Sequence, residues 1–262
     1  MSTPWFCLTL GRPEHPPLIL LHGFMGSGED FLPLAERLAR RFFCILPDLP
    51  GHGNSPLPEA PLSFELLYGQ FQALLAAYEI ETFTLGGYSM GGRLALYFAV
   101  QLAHRVGGLL LESTNAGLST EAERRARLEV DRQRAVRMQA IGMAAFLREW
   151  YAMPLFASLQ RRPQVQEAMI ARRSQMTAQT AGRLIVELSP GNQPPLWDAL
   201  PTLSMPALLL AGELDPKYPA LMARMAAQMP RALLTVVEQA GHNVHAEKPH
   251  AWLRAVTRHL RV

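Results

Sequence analysis

Residues 86–93 read Gly-Gly-Tyr-Ser-Met-Gly-Gly-Arg and place a serine, Ser89, midway between Gly87 and Gly91. Glycines with this spacing let the backbone turn sharply from a strand into a helix, so that the serine hydroxyl projects above the end of the strand. An apolar run precedes the motif, and the helical pattern GRLALYFAVQLA follows it. We therefore predict that Ser89 is the reactive group of an enzyme, rather than part of an ordinary glycine-rich turn.

A serine hydroxyl is nearly inert at neutral pH, so it needs a histidine to accept its proton and a carboxylate to orient that histidine. Asp215 follows the apolar run ALLLAG, and His242 follows LTVVEQAG. Because the carboxyl ends of parallel strands meet at one edge of a sheet, we expect both residues to lie near Ser89. Glu213 and His245 are alternatives for the two roles. We favour His242 because it comes directly after a strand, where its support is most rigid.

Negative charge that develops on a substrate oxygen needs backbone amides to stabilise it. The amide of Met90, directly after the serine, is one expected donor, and that of Phe24 in the loop LLHGFMGSGEDF is the other. We expect His22 and Gly23 to shape this loop rather than to react.

The composition excludes several classes of protein. The chain has 262 residues, 49% of them hydrophobic and 18% charged, with a formal net charge of +3. Basic residues form no tracts suited to nucleic acid, and no apolar run approaches the ~18 residues of a membrane span. The histidines lack metal-ligand spacing, so we predict neither a metal nor a cofactor. Two cysteines and no signal-peptide pattern suggest a cytoplasmic protein of undetermined oligomeric state.

Short apolar runs alternate with helical patterns along most of the chain, as in a doubly wound α/β fold with a mostly parallel sheet. The runs are at 18–23, 42–51, 82–89, 106–114, 206–215 and 232–242.

The alternation stops between residues 117 and 200, where the chain becomes helical and rich in arginine. We therefore predict a core formed by residues 1–116 and 201–262, with residues 117–200 inserted as a helical lid.

We expect arginines to lie near the predicted reaction centre, although each one taken alone fits a solvated charge on a helix. Arg93 lies one helical turn after Ser89, where the helix dipole disfavours a cation, and the lid sequence AERRARLEVDRQR adds Arg124, Arg127, Arg132 and Arg134. Guanidinium groups bind carboxylates through paired hydrogen bonds. The pattern therefore indicates an anionic substrate that bears carboxylate.

Six segments together resemble one family: GYSMGGRLAL, AERRARLEVDRQR, REWYAMPLFASL, ARRSQ, GELDPKY and AGHNVHAEKP. They are similar to those of the 2-succinyl-6-hydroxy-2,4-cyclohexadiene-1-carboxylate synthases of menaquinone biosynthesis, lyases with the α/β-hydrolase fold. The resemblance implies a triad of Ser89, Asp215 and His242. It also implies substrate contacts from Tyr88, Arg93, Arg127, Trp150 and Arg173.

Two features depart from the family or complicate the assignment. Ala116 stands where the family often has proline, and Arg124 and Arg172 are close neighbours of the implied arginines.

The family eliminates pyruvate from a cyclohexene ring that bears three carboxylates. We hypothesise that Ser89, activated by His242 and Asp215, acts as a base on a ring proton of this substrate. Two alternatives stay open: a hydrolase that uses the same triad covalently on an ester, thioester or carbon–carbon bond, and a ligand receptor that has kept the fold.

Overall fold

The computed structural model describes residues 5–261. Over this range seven strands form one sheet in the order β1-β3-β2-β4-β5-β6-β7. Only β1 is antiparallel to its neighbour, β3. The predicted doubly wound, mostly parallel sheet is confirmed, and β1 is an addition that no apolar run had indicated. The strands are β1 Cys7–Leu10, β2 Pro17–Leu21, β3 Phe43–Pro47, β4 Phe83–Tyr88, β5 Val106–Glu112, β6 Ala207–Gly212 and β7 Ala232–Val237.

Helices cover both faces of the sheet and fill the region between β5 and β6. They are α1 Leu32–Leu38, α2 Phe64–Ala77, α3 Met90–Gln101, α4 Glu121–Ala152, α5 Pro163–Arg173, α6 Ala178–Glu187, α7 Tyr218–Ala226, α8 Val244–Glu247 and α9 Pro249–Leu260. Short 3-10 segments occupy Gly28–Phe31, Pro154–Arg161 and Trp197–Thr202.

The inner strands are buried on both faces, which explains their continuous apolar sequences. In β2, Ile19 and Leu21 join the apolar cluster on one face of the sheet. Leu18 and Leu20, which alternate with them, join the cluster on the other face. This double burial fixes the strands rigidly, so the loops at their carboxyl ends start from fixed points.

Helices α4, α5 and α6 share an apolar cluster built around residues such as Met138, Phe146 and Leu147, which also includes Met25 of the core. Helix α4 starts with a capping box, in which the Thr120 hydroxyl and the Glu123 carboxylate each bond the other's backbone amide. It is kinked at Gly142, whose φ of 75° and ψ of 163° are not helical. These helices lie within the insertion predicted at 117–200, and its role as a lid stays a prediction.

Within residues 5–261, no helix combines the length and the apolar character needed to cross a lipid bilayer.

Candidate active site

Ser89 joins the end of β4 to the start of α3 with φ 51° and ψ −108°, a conformation rarely adopted by residues that have a side chain. A Cβ atom on Gly91 would lie 2.2 Å from the carbonyl oxygen of Leu21, and one on Gly87 would lie 2.3 Å from the carbonyl oxygen of Gly91. Only glycine fits at both positions. The strained turn therefore holds the Ser89 hydroxyl at the carboxyl edge of the sheet.

His242 and Asp215 reach the same edge from the ends of β7 and β6. His242 Nε2 lies 3.1 Å from Ser89 Oγ, and His242 Nδ1 lies 2.7 Å from Asp215 Oδ2. The other Asp215 oxygen accepts hydrogen bonds from the amides of Lys217 and Tyr218, both at 2.9 Å. Burial favours a raised pKa for Asp215, but the hydrogen bond from His242 and these amides outweigh it and lower that pKa. Asp215 is thus held as an anion that orients the imidazole.

His245 and Glu213, the alternatives for the histidine and carboxylate roles, have other hydrogen-bond partners. His245 Nδ1 donates to the carboxylate of Glu112 at 2.9 Å, and the His245 ring stacks on Phe31. The Glu213 carboxylate accepts a hydrogen bond from the amide of Gln239. Of the candidates that the sequence offered, the structure brings Asp215 and His242 to the serine.

Phe24 and Met90 stand beside Ser89 in the wall of one cavity. Within the described part of the chain, neither backbone amide has a hydrogen-bond acceptor in a turn, cap or loop. The Met90 amide also belongs to the first turn of α3, where the helix dipole favours negative charge. Both amides are therefore available to a substrate oxygen.

His22 was expected to shape the loop that carries Phe24, and its hydrogen bonds fit that role. Its Nδ1 lies 2.8 Å from the carbonyl oxygen of Gly23, and its Nε2 accepts the amide of Leu49 at 2.9 Å. A Cβ on Gly23 would come within 2.6 Å of the Tyr88 ring. Together these contacts fix the loop that carries the Phe24 amide.

The cavity above Ser89 has a volume of about 360 Å³. One side is apolar and aromatic and includes Trp150, Phe156 and Leu184, whereas four cations and a single carboxylate make up the charged lining. The charged residues are Arg93, Arg127, Arg134, Lys217 and Asp131.

Arg93 is a buried cation with neutral partners. Its side chain donates to the carbonyl oxygen of Leu188 at 2.8 Å and to the side-chain oxygen of Gln193 at 3.4 Å. Burial, together with the nearby charge of Arg127, lowers the Arg93 pKa to about 10. No carboxylate of residues 5–261 forms an ion pair with it. A buried charge without a counterion is costly, so this position favours an anionic ligand.

Of the other predicted contacts, Trp150 lines the cavity and its ring lies 5.6 Å from that of Phe24. Tyr88 lies behind the cavity: its ring centre is 5.3 Å from that of His242 and 4.9 Å from that of His245. Tyr88 therefore packs against the imidazole of His242 rather than facing the cavity.

Arg173 is not brought to this cavity. It is buried and donates to Asp30 at 2.9 Å, while Arg172 binds the other oxygen of the same carboxylate at 3.1 Å. Both arginines line a separate cavity of about 430 Å³. Arg173 was expected to contact the substrate together with Arg93 and Arg127. It is instead neutralised by Asp30, which is far away in the sequence.

Arg134 and Lys217 line the cavity above Ser89. Arg134 was one of the lid arginines noted in the sequence, but neither residue was among the predicted substrate contacts. A signal for Arg134 was present: it follows Arg127 by seven residues, two helical turns, and so lies on the same face of α4. Burial and the nearby Arg127 lower the pKa of Lys217. Among the described residues, no group of three or more metal-ligating side chains is found.

Comparison with known proteins agrees with this geometry. The alpha/beta hydrolase family matches residues 18–256. A solved structure of MenH from S. aureus has a TM-score of 0.93 and 28% identity, covering 99% of this chain and 98% of that one. A thermophilic esterase from Thermogutta terrifontis has a TM-score of 0.88 and 27% identity, covering 98% and 93%.

A relative from Yersinia enterocolitica, named 2-succinyl-6-hydroxy-2,4-cyclohexadiene-1-carboxylate synthase, is 38% identical over 92% of this chain and 85% of its own length. A second relative of that name, from Yersinia pestis, is 37% identical over 94% of the chain and 88% of its own. By its sequence and its fold, the chain belongs to the 2-succinyl-6-hydroxy-2,4-cyclohexadiene-1-carboxylate synthases, within the alpha/beta hydrolase family.

Proposed function

We propose that this chain is a carbon–oxygen lyase of menaquinone biosynthesis. It eliminates pyruvate from 2-succinyl-5-enolpyruvyl-6-hydroxy-3-cyclohexene-1-carboxylate and leaves 2-succinyl-6-hydroxy-2,4-cyclohexadiene-1-carboxylate. The observation that carries the proposal is the buried Arg93, which has only neutral partners and lies one helical turn from Ser89. A buried cation without a counterion is costly, and a tricarboxylate substrate supplies the missing counterion.

The chemistry starts at Ser89. His242 takes the hydroxyl proton, and the oxygen removes the ring proton beside the succinyl ketone, so that the ketone becomes an enolate. The amides of Phe24 and Met90 stabilise the charge on that oxygen, each contributing about 3 to 4 kcal/mol in the transition state. When the enolate collapses, the ring gains a double bond and the carbon–oxygen bond to the enolpyruvyl group breaks. The leaving group takes up the proton that His242 holds and departs as pyruvate, which returns His242 to its neutral form.

Substrate binding is assigned to the charged lining of the cavity. Arg93, Arg127 and Trp150 are proposed as contacts to the substrate, and their place in the cavity wall supports this. An exposed ion pair contributes only about 0 to 1 kcal/mol, so the burial of Arg93 strengthens its case. For Tyr88 and Arg173, which were proposed with them, we infer a supporting role behind the wall. We also propose that the enzyme works in the cytoplasm, where Cys7 and Cys44 remain free thiols.

The test is direct. The purified protein is supplied with the enolpyruvyl substrate, and pyruvate is measured over time. We expect release by the unaltered protein, and a fall of at least about 100-fold in Ser89→Ala, the usual contribution of a positioned base. Ser204→Ala, at an exposed serine, is the matched control and keeps full activity. Release at the control rate by Ser89→Ala would contradict the mechanism.

Covalent hydrolysis is the second candidate, because the Ser89–His242–Asp215 geometry equally suits acyl transfer. It predicts an acyl group on Ser89, visible as added mass in the intact protein during turnover of an ester. Absence of that mass while pyruvate is released favours the lyase. Tight ligand binding with no turnover of either substrate would indicate a receptor instead.

A further inference from the structure

Asp131 occupies an unusual place in the wall of the catalytic cavity. Its side chain is fully buried. One carboxylate oxygen accepts from Arg127 Nε and from the Ser189 hydroxyl, both at 2.8 Å, and the other accepts from Arg134 Nη1, also at 2.8 Å. Both oxygens are therefore engaged by protein donors. Asp131 is an internal counterion rather than a group free to meet a substrate.

The two arginines differ from Asp131 in exposure. The side chains of Arg127 and Arg134 are 32% and 29% exposed, whereas Asp131 is 0% exposed. Residues 127, 131 and 134 follow the helical spacing of four and three, which puts them on one face of α4. The acid therefore lies beneath two guanidinium groups that reach the cavity.

Each guanidinium group uses only some of its N–H donors to bind Asp131. Among the described residues, Arg127 makes no hydrogen bond through Nη1 or Nη2, and Arg134 uses Nη2 only for the sulfur of Met153 at 3.9 Å. Arg134 also lies over the ring of Trp150, with 5.5 Å from its guanidinium carbon to the ring centre. Several N–H donors thus stay available while both groups are held in place.

The charges at this site do not cancel. Two guanidinium groups share one carboxylate, so the trio keeps a single positive charge, next to the uncompensated Arg93. Fixed, partly desolvated guanidinium groups bind carboxylates with little further loss of side-chain entropy.

We infer that Asp131 positions Arg127 and Arg134 as a two-guanidinium clamp for one carboxylate of the substrate, while Arg93 receives a second. The inference rests on the proposed function in taking the ligand to be a polycarboxylate. It assigns Arg134 as a substrate-binding residue, in the cavity that Arg173 does not line, and Asp131 as a positioning residue.

Succinate is the probe, because it carries two carboxylates and needs no turnover. Its dissociation constant is measured by calorimetry for the unaltered protein and for Arg134→Met. We expect binding to weaken at least about tenfold, the loss of one charge-assisted hydrogen bond in a partly desolvated site. Arg132→Met is the matched control on the same helix: Arg132 is 59% exposed and its nearest acid, Glu129, is 3.8 Å away. Equal affinities in Arg134→Met and the control overturn the inference.

A second site for succinate is tested with Arg172→Met, which alters the separate cavity. The Arg172→Met variant should bind succinate with the same affinity as the unaltered protein. If this change weakens succinate binding and Arg134→Met does not, the ligand binds at the wrong cavity and the clamp is refuted.

Asp131→Asn tests positioning against simple charge. The change removes a negative charge from the cavity wall, so electrostatics alone predicts tighter succinate binding. Positioning predicts weaker binding, because both guanidinium groups lose the anchor that fixes them. The uncharged succinamide is the control ligand: a general distortion of the cavity would alter its binding equally, and loss of the clamp would not. Tighter succinate binding, or equal loss for both ligands, would refute the positioning role.

These measurements are separable from the lyase assay. Succinate binding through Arg134 with no pyruvate release would leave the clamp standing and refute the proposed function. Pyruvate release that survives Arg134→Met, with unchanged KM and unchanged succinate binding, would refute the clamp alone.

Discussion

The carboxylate of Glu112 accepts hydrogen bonds from both the backbone amide and the Nδ1 of His245, at 3.1 and 2.9 Å. The Nε1 of Trp252 donates to the same carboxylate at 2.8 Å. The backbone carbonyl of Glu112 accepts the amide of Ser89 at 2.9 Å. Glu112 thus links the strand end beside the serine to the segment that follows His242.

We expect Glu112→Gln to lower the free energy of unfolding by about 1 to 3 kcal/mol, because the new amide group turns a donor toward donors that need an acceptor. Urea denaturation followed by circular dichroism measures this. Glu81→Gln, at an exposed position, is the control and should change the value by no more than about 0.5 kcal/mol. Indistinguishable midpoints would show that the buried network contributes nothing to stability.

Arg93→Met should separate activity from stability. The change removes a costly buried charge but also leaves the carbonyl of Leu188 without its donor, so the two effects oppose each other. We expect the free energy of unfolding to stay within about 1 kcal/mol of the original. The kcat/KM for pyruvate release should fall by about 100-fold, because a desolvated carboxylate of the substrate loses its partner. If the variant keeps the original kcat/KM, Arg93 does not bind the substrate.

Asp30 and Arg173 form a buried pair, and Asp30→Asn leaves Arg173 without its nearest counterion. We expect a loss of about 3 to 5 kcal/mol in the free energy of unfolding at pH 7. The double variant Asp30→Asn with Arg173→Met should recover much of it, since no uncompensated charge remains. If the double variant is as unstable as the sum of the single ones, the two side chains do not act as a pair.

The same pair gives a pH dependence. Burial favours a raised pKa for Asp30, but Arg173 and other nearby cations outweigh this and lower the pKa. A lowered folded-state pKa stabilises the protein above the unfolded value of about 3.9, and this stabilisation is lost as the pH falls through the folded value. The stability difference between the original protein and Asp30→Asn should therefore be constant near neutrality and shrink below about pH 4. Denaturation curves at several pH values measure it.

Gly142 and Gly69 should respond to alanine in opposite directions. Apart from the nearby backbone of its own helix, neither has an atom within 4 Å of where a Cβ would stand, so neither alanine would clash with the rest of the protein. Gly142 has a φ of 75° within the kink of α4, and alanine there is expected to cost about 1 to 3 kcal/mol. Gly69 lies inside α2, where alanine should stabilise by about 0.5 to 1 kcal/mol. Thermal unfolding compares the two variants. A stabilising Gly142→Ala would mean that α4 can straighten at no cost.

The sequence by itself determined the parts of this protein that depend on local pattern. Strands buried on both faces are continuous apolar runs, and the glycine spacing at 87 and 91 around Ser89 marks a sharp turn from strand to helix. Because parallel strands end at one edge, the order of Ser89, Asp215 and His242 was enough to predict that they meet. The sequence did not predict the antiparallel strand β1, because this strand lies at the edge of the sheet and is only half-buried, so its apolar pattern is weak.

The partners of the arginines were decided by the tertiary structure alone. Arg173 is separated from Asp30 by 143 residues, and nothing local distinguishes an arginine with a distant buried acid from one with none. Arg93 differs only because its neighbours in space, Gln193 and Leu188, are neutral. Charge pairing depends on three-dimensional distance and on desolvation, and both arise only when the chain has folded.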